Sequence, residues 1–219
     1  WPFLRANMQN SNYDYIFTVC TVFLFIAAVN NEEKKILPIL FIWPVFLCSV
    51  RILYFPSLIM TVYAAHHLIT QKRIKQLILL AILSILLIAA FFIRNMILSG
   101  YPVYPSKFGK IIYFDWDVSV SQIDSLLNYI KNYNKINDRT LSIEEIQRIP
   151  FPNWILLWAK HLFYYDKILV AASLPGMFYA ITRLRERSLT VYQRVIGLFL
   201  FVQIIVWFIV APDPRFIYG

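Results

Sequence analysis

Six apolar runs, separated by short polar breaks, organise the sequence. The first spans Tyr15 to Val29 and stops at the polar stretch Asn30-Asn31-Glu32-Glu33-Lys34-Lys35. The second, Ile36 to Val50, is interrupted at Arg51. The third, Ile52 to Ile69, ends in the basic stretch Gln71-Lys72-Arg73-Ile74-Lys75. The fourth, Leu77 to Ile93, contains Ser84 as its single polar residue. A long mixed region from Arg94 to Lys167 follows, and then come the fifth run, Ile168 to Ile181, and the sixth, Val195 to Ala211. A spanning helix needs about 20 mostly apolar residues, with a range of about 17–25. Runs three, four and six meet that length, while runs one, two and five are short.

The pattern predicts an all-α, polytopic helical membrane protein with about six spans and a small helical insert. Residues 1–93 hold spans one to four, 94–167 the insert, and 168–219 spans five and six. The short runs reach across by borrowing flanking Tyr and Trp or by sitting where the bilayer thins. A second reading makes runs two and three a hairpin that only partly enters the membrane. Pro38, Pro44 and Pro56 suit such broken helices. Pro175-Gly176 predicts a kink in run five.

Composition agrees with this pattern. Hydrophobic residues are 59% of the 219 positions, charged residues 15%, and mean hydropathy is +0.60. A water-soluble domain is about 45–50% apolar and about 25% charged, so lipid must be the solvent for much of this chain. The two cysteines, Cys20 and Cys48, lie inside apolar runs and read as small buried hydrophobes. The chain opens at Trp1-Pro2 without Met or signal peptide and stops at Gly219, so it is expected to be part of a longer protein.

The net charge of +9 is a matter of topology, with no nucleic-acid partner expected. If Asn30–Lys35, Thr70–Gln76 and Thr182–Arg194 share one side, that side holds Lys34, Lys35, Lys72, Arg73, Lys75, Arg183, Arg185, Arg187 and Arg194. The opposite short segments hold only Arg5, Arg51 and Arg215. The positive-inside bias makes the first side cytoplasmic and the region 94–167 extracytoplasmic.

The insert carries helix signals. Ser121-Gln122-Ile123-Asp124 is a capping-box pattern, with Ile123, Leu126, Leu127 and Ile130 following at helical spacing. Ser142-Ile143-Glu144-Glu145 is a second box. Asn153 suits the cap of a helix from Trp154 to Tyr165. Its aromatic content fits either a helix lying in the membrane interface or one packed on its own domain.

Phosphate-binding loops, zinc-protease pairs and nucleophile elbows are absent from the sequence. His66 and His67 sit at the end of run three, and His161 lies on the aromatic helix; all three read as structural or interfacial. Polar groups collect instead at one set of span ends: Asp14 before run one, Arg51 between runs two and three, Arg94-Asn95 after run four, and Asp213 and Arg215 after run six. Each arginine alone suits simple snorkelling. Together they suit an anionic, lipid-borne headgroup such as a polyprenyl phosphate, because Arg offers planar, permanently charged phosphate contacts. A carboxylate there could act as a general base. Asp115-Trp116-Asp117 has the DxD spacing that can ligate Mg²⁺ or Mn²⁺, or it is a pair of solvated loop carboxylates.

The stretch Arg94-Asn95-Met96-Ile97-Leu98-Ser99-Gly100-Tyr101-Pro102-Val103-Tyr104-Pro105 resembles a signature of a group of bacterial polytopic membrane proteins. Asp115-Trp116 is similar to that group's acidic-Trp element, and Pro212-Asp213-Pro214-Arg215-Phe216 to its element after a later span. The group resembles GT-C type glycosyltransferases in plan. That resemblance implies a polyprenyl-linked sugar donor, a site on the outer face of a bacterial inner membrane, and an inverting displacement. The best-known acidic residue of those enzymes lies in a first outer loop that this chain is expected to lack. The resemblance therefore implies a membrane glycosyltransferase of cell-envelope glycan synthesis. No catalytic residue carries over from those enzymes; from their place at the span ends, Arg51, Arg94 and Arg215 are expected as phosphate contacts, and Asp14 and Asp213 as orienting or acid–base groups. Two alternatives stand beside it: an O-antigen polymerase or ligase, and a lipid-glycan flippase or transporter. Spans nearly free of internal charge argue against the transporter.

Overall fold

The computed structural model describes residues 33–50, 52–110, 112–133, 135, 141–150, 152–183 and 189–210, together with Val19, Val22, Phe23 and Ile26. Those four isolated positions are helical, and the remainder of run one lies outside the described residues. Among the described residues the protein is all-helical and has no strand. The elements are α1 (Glu33–Val50), a 3₁₀ helix (Ile52–Ser57), α2 (Leu58–Thr70), α3 (Ile74–Ser99), α4 (Val120–Tyr133), α5 (Ile143–Arg148), α6 (Asn153–His161), α7 (Tyr164–Arg183) and α8 (Val191–Val210). Among the described residues, three helical stretches are long and apolar enough to cross a membrane: Ile52–Thr70, Ile74–Ser99 and Val191–Val210. They correspond to runs three, four and six. Run two forms a shorter apolar helix, Ile36–Val50.

α1 and α2 form an antiparallel hairpin. The Thr61 hydroxyl donates to the Phe41 carbonyl at 3.0 Å, and the fully buried Ser57 hydroxyl, which donates to the Tyr54 carbonyl at 2.7 Å, lies 3.5 Å from the Pro44 carbonyl. Pro38 and Pro44 sit inside α1 and Pro56 inside the 3₁₀ helix. Prolines remove backbone donors, and Pro56 leaves the Leu53 carbonyl without the partner it would have in a 3₁₀ helix. Leu37, Leu40, Met60, Ala64 and Leu68 interlock along the seam, and Leu80 of α3 closes one side. α8 closes another through Tyr192, Ile196 and Phe199. Tyr63 and Tyr192 stack with ring centres 5.8 Å apart, while the Gln203 amide donates to the Leu53 carbonyl at 3.4 Å. Those two contacts run α8 antiparallel to α2.

The consequence is a polarity of ends. The start of α1, the turn between α2 and α3, and the start of α8 lie together at one end of the bundle. The first segments of the basic side therefore converge, and Lys72, Arg73 and Lys75 are exposed there. The turn is tight: Lys72 adopts the left-handed conformation with φ 57°, and its N–H bonds the Ile69 carbonyl at 2.9 Å.

α3 has 26 residues and no internal Gly or Pro. α8 starts four residues before run six because Thr190 and Gln193 form a reciprocal capping box, their N–H to side-chain oxygen distances being 3.0 and 3.2 Å. α7 runs through Pro175 without a break in its helical course. α3 continues past Ile93 and α7 begins at Tyr164, so residues 100–163 lie between those two helices.

Within the insert the Ser142 box forms as the sequence predicts, with Ser142 N–H to Glu145 Oε2 at 2.7 Å and Glu145 N–H to Ser142 Oγ at 3.2 Å. That backbone bond holds the Glu145 carboxyl below the usual range. The first box lies two residues earlier than the pattern around Ser121 predicts. Ser119 caps α4, donating its N–H to Gln122 Oε1 at 3.0 Å and accepting the Gln122 N–H at 3.3 Å. Asp124, the expected partner, is instead exposed and paired with Lys107 at 2.5 Å. The aromatic helix is also shorter than its pattern. It ends at His161, and Asn153 is its first residue with Pro152 at the cap position. Trp154 and Trp158 are buried against Trp207 and Phe208 of α8, so α6 packs on the protein's own helix.

Candidate functional site

The end of α3 is held by a dense set of hydrogen bonds. A helix leaves its last four carbonyls without partners. Here the Met96 carbonyl takes the Gly100 N–H at 2.8 Å, the Ile97 carbonyl takes the Trp116 indole N–H at 3.1 Å, and the Ser99 carbonyl takes the Val118 N–H at 3.1 Å. The chain therefore turns away from α3 and comes back to cap it.

The motif residues sit inside this corner. Asn95 is buried and donates its amide to the Pro102 carbonyl at 3.1 Å. The buried Ser99 hydroxyl bonds the Asn95 carbonyl at 2.8 Å and accepts the Tyr101 N–H at 3.2 Å. Gly100 is left-handed, with φ 80°, and a Cβ there would overlap the Asp117 carboxylate. Only glycine combines that backbone with that close approach. Asn95, Ser99, Gly100, Tyr101 and Pro102 thus fix the course by which the chain leaves α3, and Asp117 keys into the space that Gly100 vacates.

Asp117 pairs with Lys110 at 2.6 Å and accepts the Phe114 N–H at 3.1 Å. The Lys110 ammonium also lies 4.6 Å from the Tyr101 ring centre and 4.5 Å from that of Tyr113. Its hydrogen bond holds Asp117 below the usual carboxylate range, against the opposing effect of burial. The same bond raises Lys110 above the ordinary lysine range. Asp115 is exposed in the neighbouring turn. This arrangement does not fit a divalent ion. One Asp117 oxygen already faces an ammonium, which would repel Mg²⁺ or Mn²⁺, and the second carboxylate is out in solvent. Among the described residues, no group of three or more His, Cys, Asp or Glu side chains converges as a metal site.

Arg94 differs from the rest of its motif. It is exposed, and among the described residues it has no hydrogen bond or ion pair. Ile93, Ile97 and Leu98 are exposed on the same flank of α3. A guanidinium with all its donors free, on an apolar flank, is suited to an anion that arrives through lipid. Asp14, Arg51, Asp213 and Arg215 lie outside the described residues.

Lys110 escaped the sequence reading. Its partner is seven positions away across an irregular turn, beyond any local spacing rule; the lone cation amid Phe108, Ile111, Ile112 and Tyr113 was the available signal. Gln203, a buried amide in the middle of α8, is a second such residue.

Together these features define, among the described residues, an all-helical protein with three helices long and apolar enough to span a membrane, the longest of them capped by the chain that follows it. The chain belongs to the family DUF8201, a domain of unknown function, whose profile matches residues 2–219. No curated protein and no solved structure matches the chain.

Proposed function

We propose that this protein is part of a GT-C-like membrane glycosyltransferase that uses a polyprenyl-linked sugar donor in cell-envelope glycan synthesis. The observation that carries the reading is the free Arg94 on the apolar flank of α3. The 19 residues after Lys75, up to Arg94, rise about 28 Å at ~1.5 Å each, close to the roughly 30 Å hydrocarbon thickness of a bilayer. With the exposed Lys75 at one headgroup level, Arg94 stands at the other, where a lipid phosphate would lie.

In this reading the chain crosses a bacterial inner membrane about six times, with the basic ends cytoplasmic and the insert outside. Arg94, with Arg51 and Arg215, holds the donor phosphate; Asp14 and Asp213 orient the acceptor or move its proton. The capped corner supports this by holding the end of α3 rigid just above Arg94. A flippase reading draws less support, because the buried polar residues of the three long helices below the corner are the uncharged Ser57, Ser84 and Gln203.

The test is a gene-deletion strain complemented with variants of the full-length protein. Arg94→Ala should weaken polyprenyl-phosphate binding about tenfold to a hundredfold, the usual scale for losing a hydrogen bond to a charged group. Lipid-linked sugar should then accumulate, with Arg94→Lys partly restoring synthesis. Normal envelope glycan in both the Arg94→Ala and Arg215→Ala strains would rule the assignment out.

A further inference from the structure

The loop that caps α3 presents a row of aromatic and apolar side chains that its own fold leaves uncovered. Phe108 is 78% exposed, Tyr113 80%, Trp116 59% and Ile112 47%. Apolar side chains normally turn inward during folding, so an uncovered cluster in a short loop marks a contact surface. Three observations identify its partner.

The first is height. The Trp116 indole N–H is bonded to the Ile97 carbonyl, which ties the loop to one level of α3. Ile97 lies three residues beyond Arg94, about 4.5 Å further along the helix axis. If Lys75 and Arg94 mark the two edges of the hydrocarbon, Trp116 sits in the headgroup layer immediately above it. Trp and Tyr concentrate at that depth in membrane proteins, because each has an apolar body and a polar tip.

The second is continuity. Ile93, Ile97 and Leu98 leave the flank of α3 exposed right up to the level of the loop. Only 11% of the most apolar stretch of α3 is buried within the protein. The aromatic row therefore extends a surface that already faces lipid. The third is rigidity. Phe114 and Trp116 stack with ring centres 4.7 Å apart, and Lys110 is held between Tyr101, Tyr113 and Asp117. Tyr113 and Trp116 are thus held by the corner.

We infer that the loop around Phe108, Tyr113 and Trp116 is an interfacial keel, seated at the boundary between lipid headgroups and acyl chains beside the end of α3. It would fix the depth and tilt of α3, and so the height at which the capped corner meets the membrane surface. The inference needs the chain to span a membrane, and it holds whether or not Arg94 binds a sugar-lipid phosphate.

Site-directed spin labelling in phospholipid nanodiscs tests it without reference to enzymatic activity. In a cysteine-free background of the full-length protein, with Cys20→Ser and Cys48→Ala among the changes, single labels are placed through Phe108→Cys and, separately, Tyr113→Cys. Leu86→Cys provides the lipid-facing reference and Lys131→Cys the aqueous one. Collision with oxygen should exceed collision with a water-soluble nickel chelate at 108 and 113, giving a positive depth parameter between those of the two references. A nickel-dominated signal at both sites, matching Lys131, would overturn the keel. Labels immobilised and shielded from both reagents would equally overturn it, because they would report a protein partner in place of lipid. If one loop variant fails to fold, the other site decides, and quenching of Trp116 by brominated lipid in a variant lacking the other tryptophans gives an independent reading.

Discussion

The α1–α2 hairpin and α3 are both built from apolar residues, yet they bury them very differently. In the stretch Ile52–Thr70, 44% of the most apolar window is inside the protein; in α3, the more apolar of the two, the share is 11%. In water that order would be reversed, because the most apolar helix would be buried first. In a bilayer, lipid tails are as apolar as leucine, and burial yields only packing and hydrogen bonds. The hairpin carries Ser57, Thr61, Tyr54 and Tyr63, groups that need protein neighbours. α3 between Leu77 and Ile93 carries Ser84 as its one polar residue and can face lipid. A very apolar membrane helix is therefore free to remain at the rim, and its own specificity is concentrated at its capped end.

Substitutions test this contrast directly. The largest effect is expected at the capped end. Gly100→Ala must accept a left-handed backbone, which costs about 1–2 kcal/mol, and must also push Asp117 out of its place. A total loss of about 3 kcal/mol or more is expected, read as a lowered midpoint in detergent unfolding. A wild-type midpoint would mean that the corner is not keyed as described. Next is the hairpin seam: Leu40→Ala, at a fully buried position, should cost about 2 kcal/mol through lost packing. An unchanged midpoint there would dissolve the difference between the two regions.

Asp117→Asn tests the electrostatic half of the corner. The Asp117 carboxyl is depressed in the folded state, so its stabilising effect is present above its unfolded pKa and fades as pH falls through the folded one. Lys110 is raised, so its effect is present below its unfolded pKa and fades as pH rises through the folded one. The midpoint gap between wild type and Asp117→Asn should be constant from about pH 5 to about pH 9 and narrow beyond either end. A gap that does not change below the ordinary carboxylate range would show that the charge is not what the fold uses. The smallest effect belongs to the lipid-facing flank: Leu86→Ala should shift stability by less than about 0.5 kcal/mol. A loss as large as that at Leu40 would mean that α3 has a protein partner along that side.

Some of this was legible without coordinates. The Ser142 box was readable, since its reciprocal bonds are local. So was the existence of runs three, four and six, because length and hydropathy decide whether a helix can span. The two caps at Ser119 and Thr190 were harder, since Ser-x-x-Gln and Thr-x-x-Gln compete with nearby patterns such as that at Ser121. The pattern of the aromatic helix runs four residues past the helix itself because Leu162-Phe163 are apolar enough to continue it, although the chain turns there. The pairing of Lys110 with Asp117 was not readable at all, because it depends on an irregular turn held by Trp116.

What the sequence alone determined is the solvent: a chain this apolar, with its breaks at these intervals, has to be helical and membrane-embedded, because lipid offers no partners for an open backbone. It also determined which ends are basic. Which helix packs and which faces lipid was decided only by the tertiary structure, since in a bilayer hydropathy does not rank burial. The same holds for the corner. The sequence contained Gly100 and Asp117 seventeen residues apart, and only the return of the chain onto the α3 carbonyls made one the space for the other.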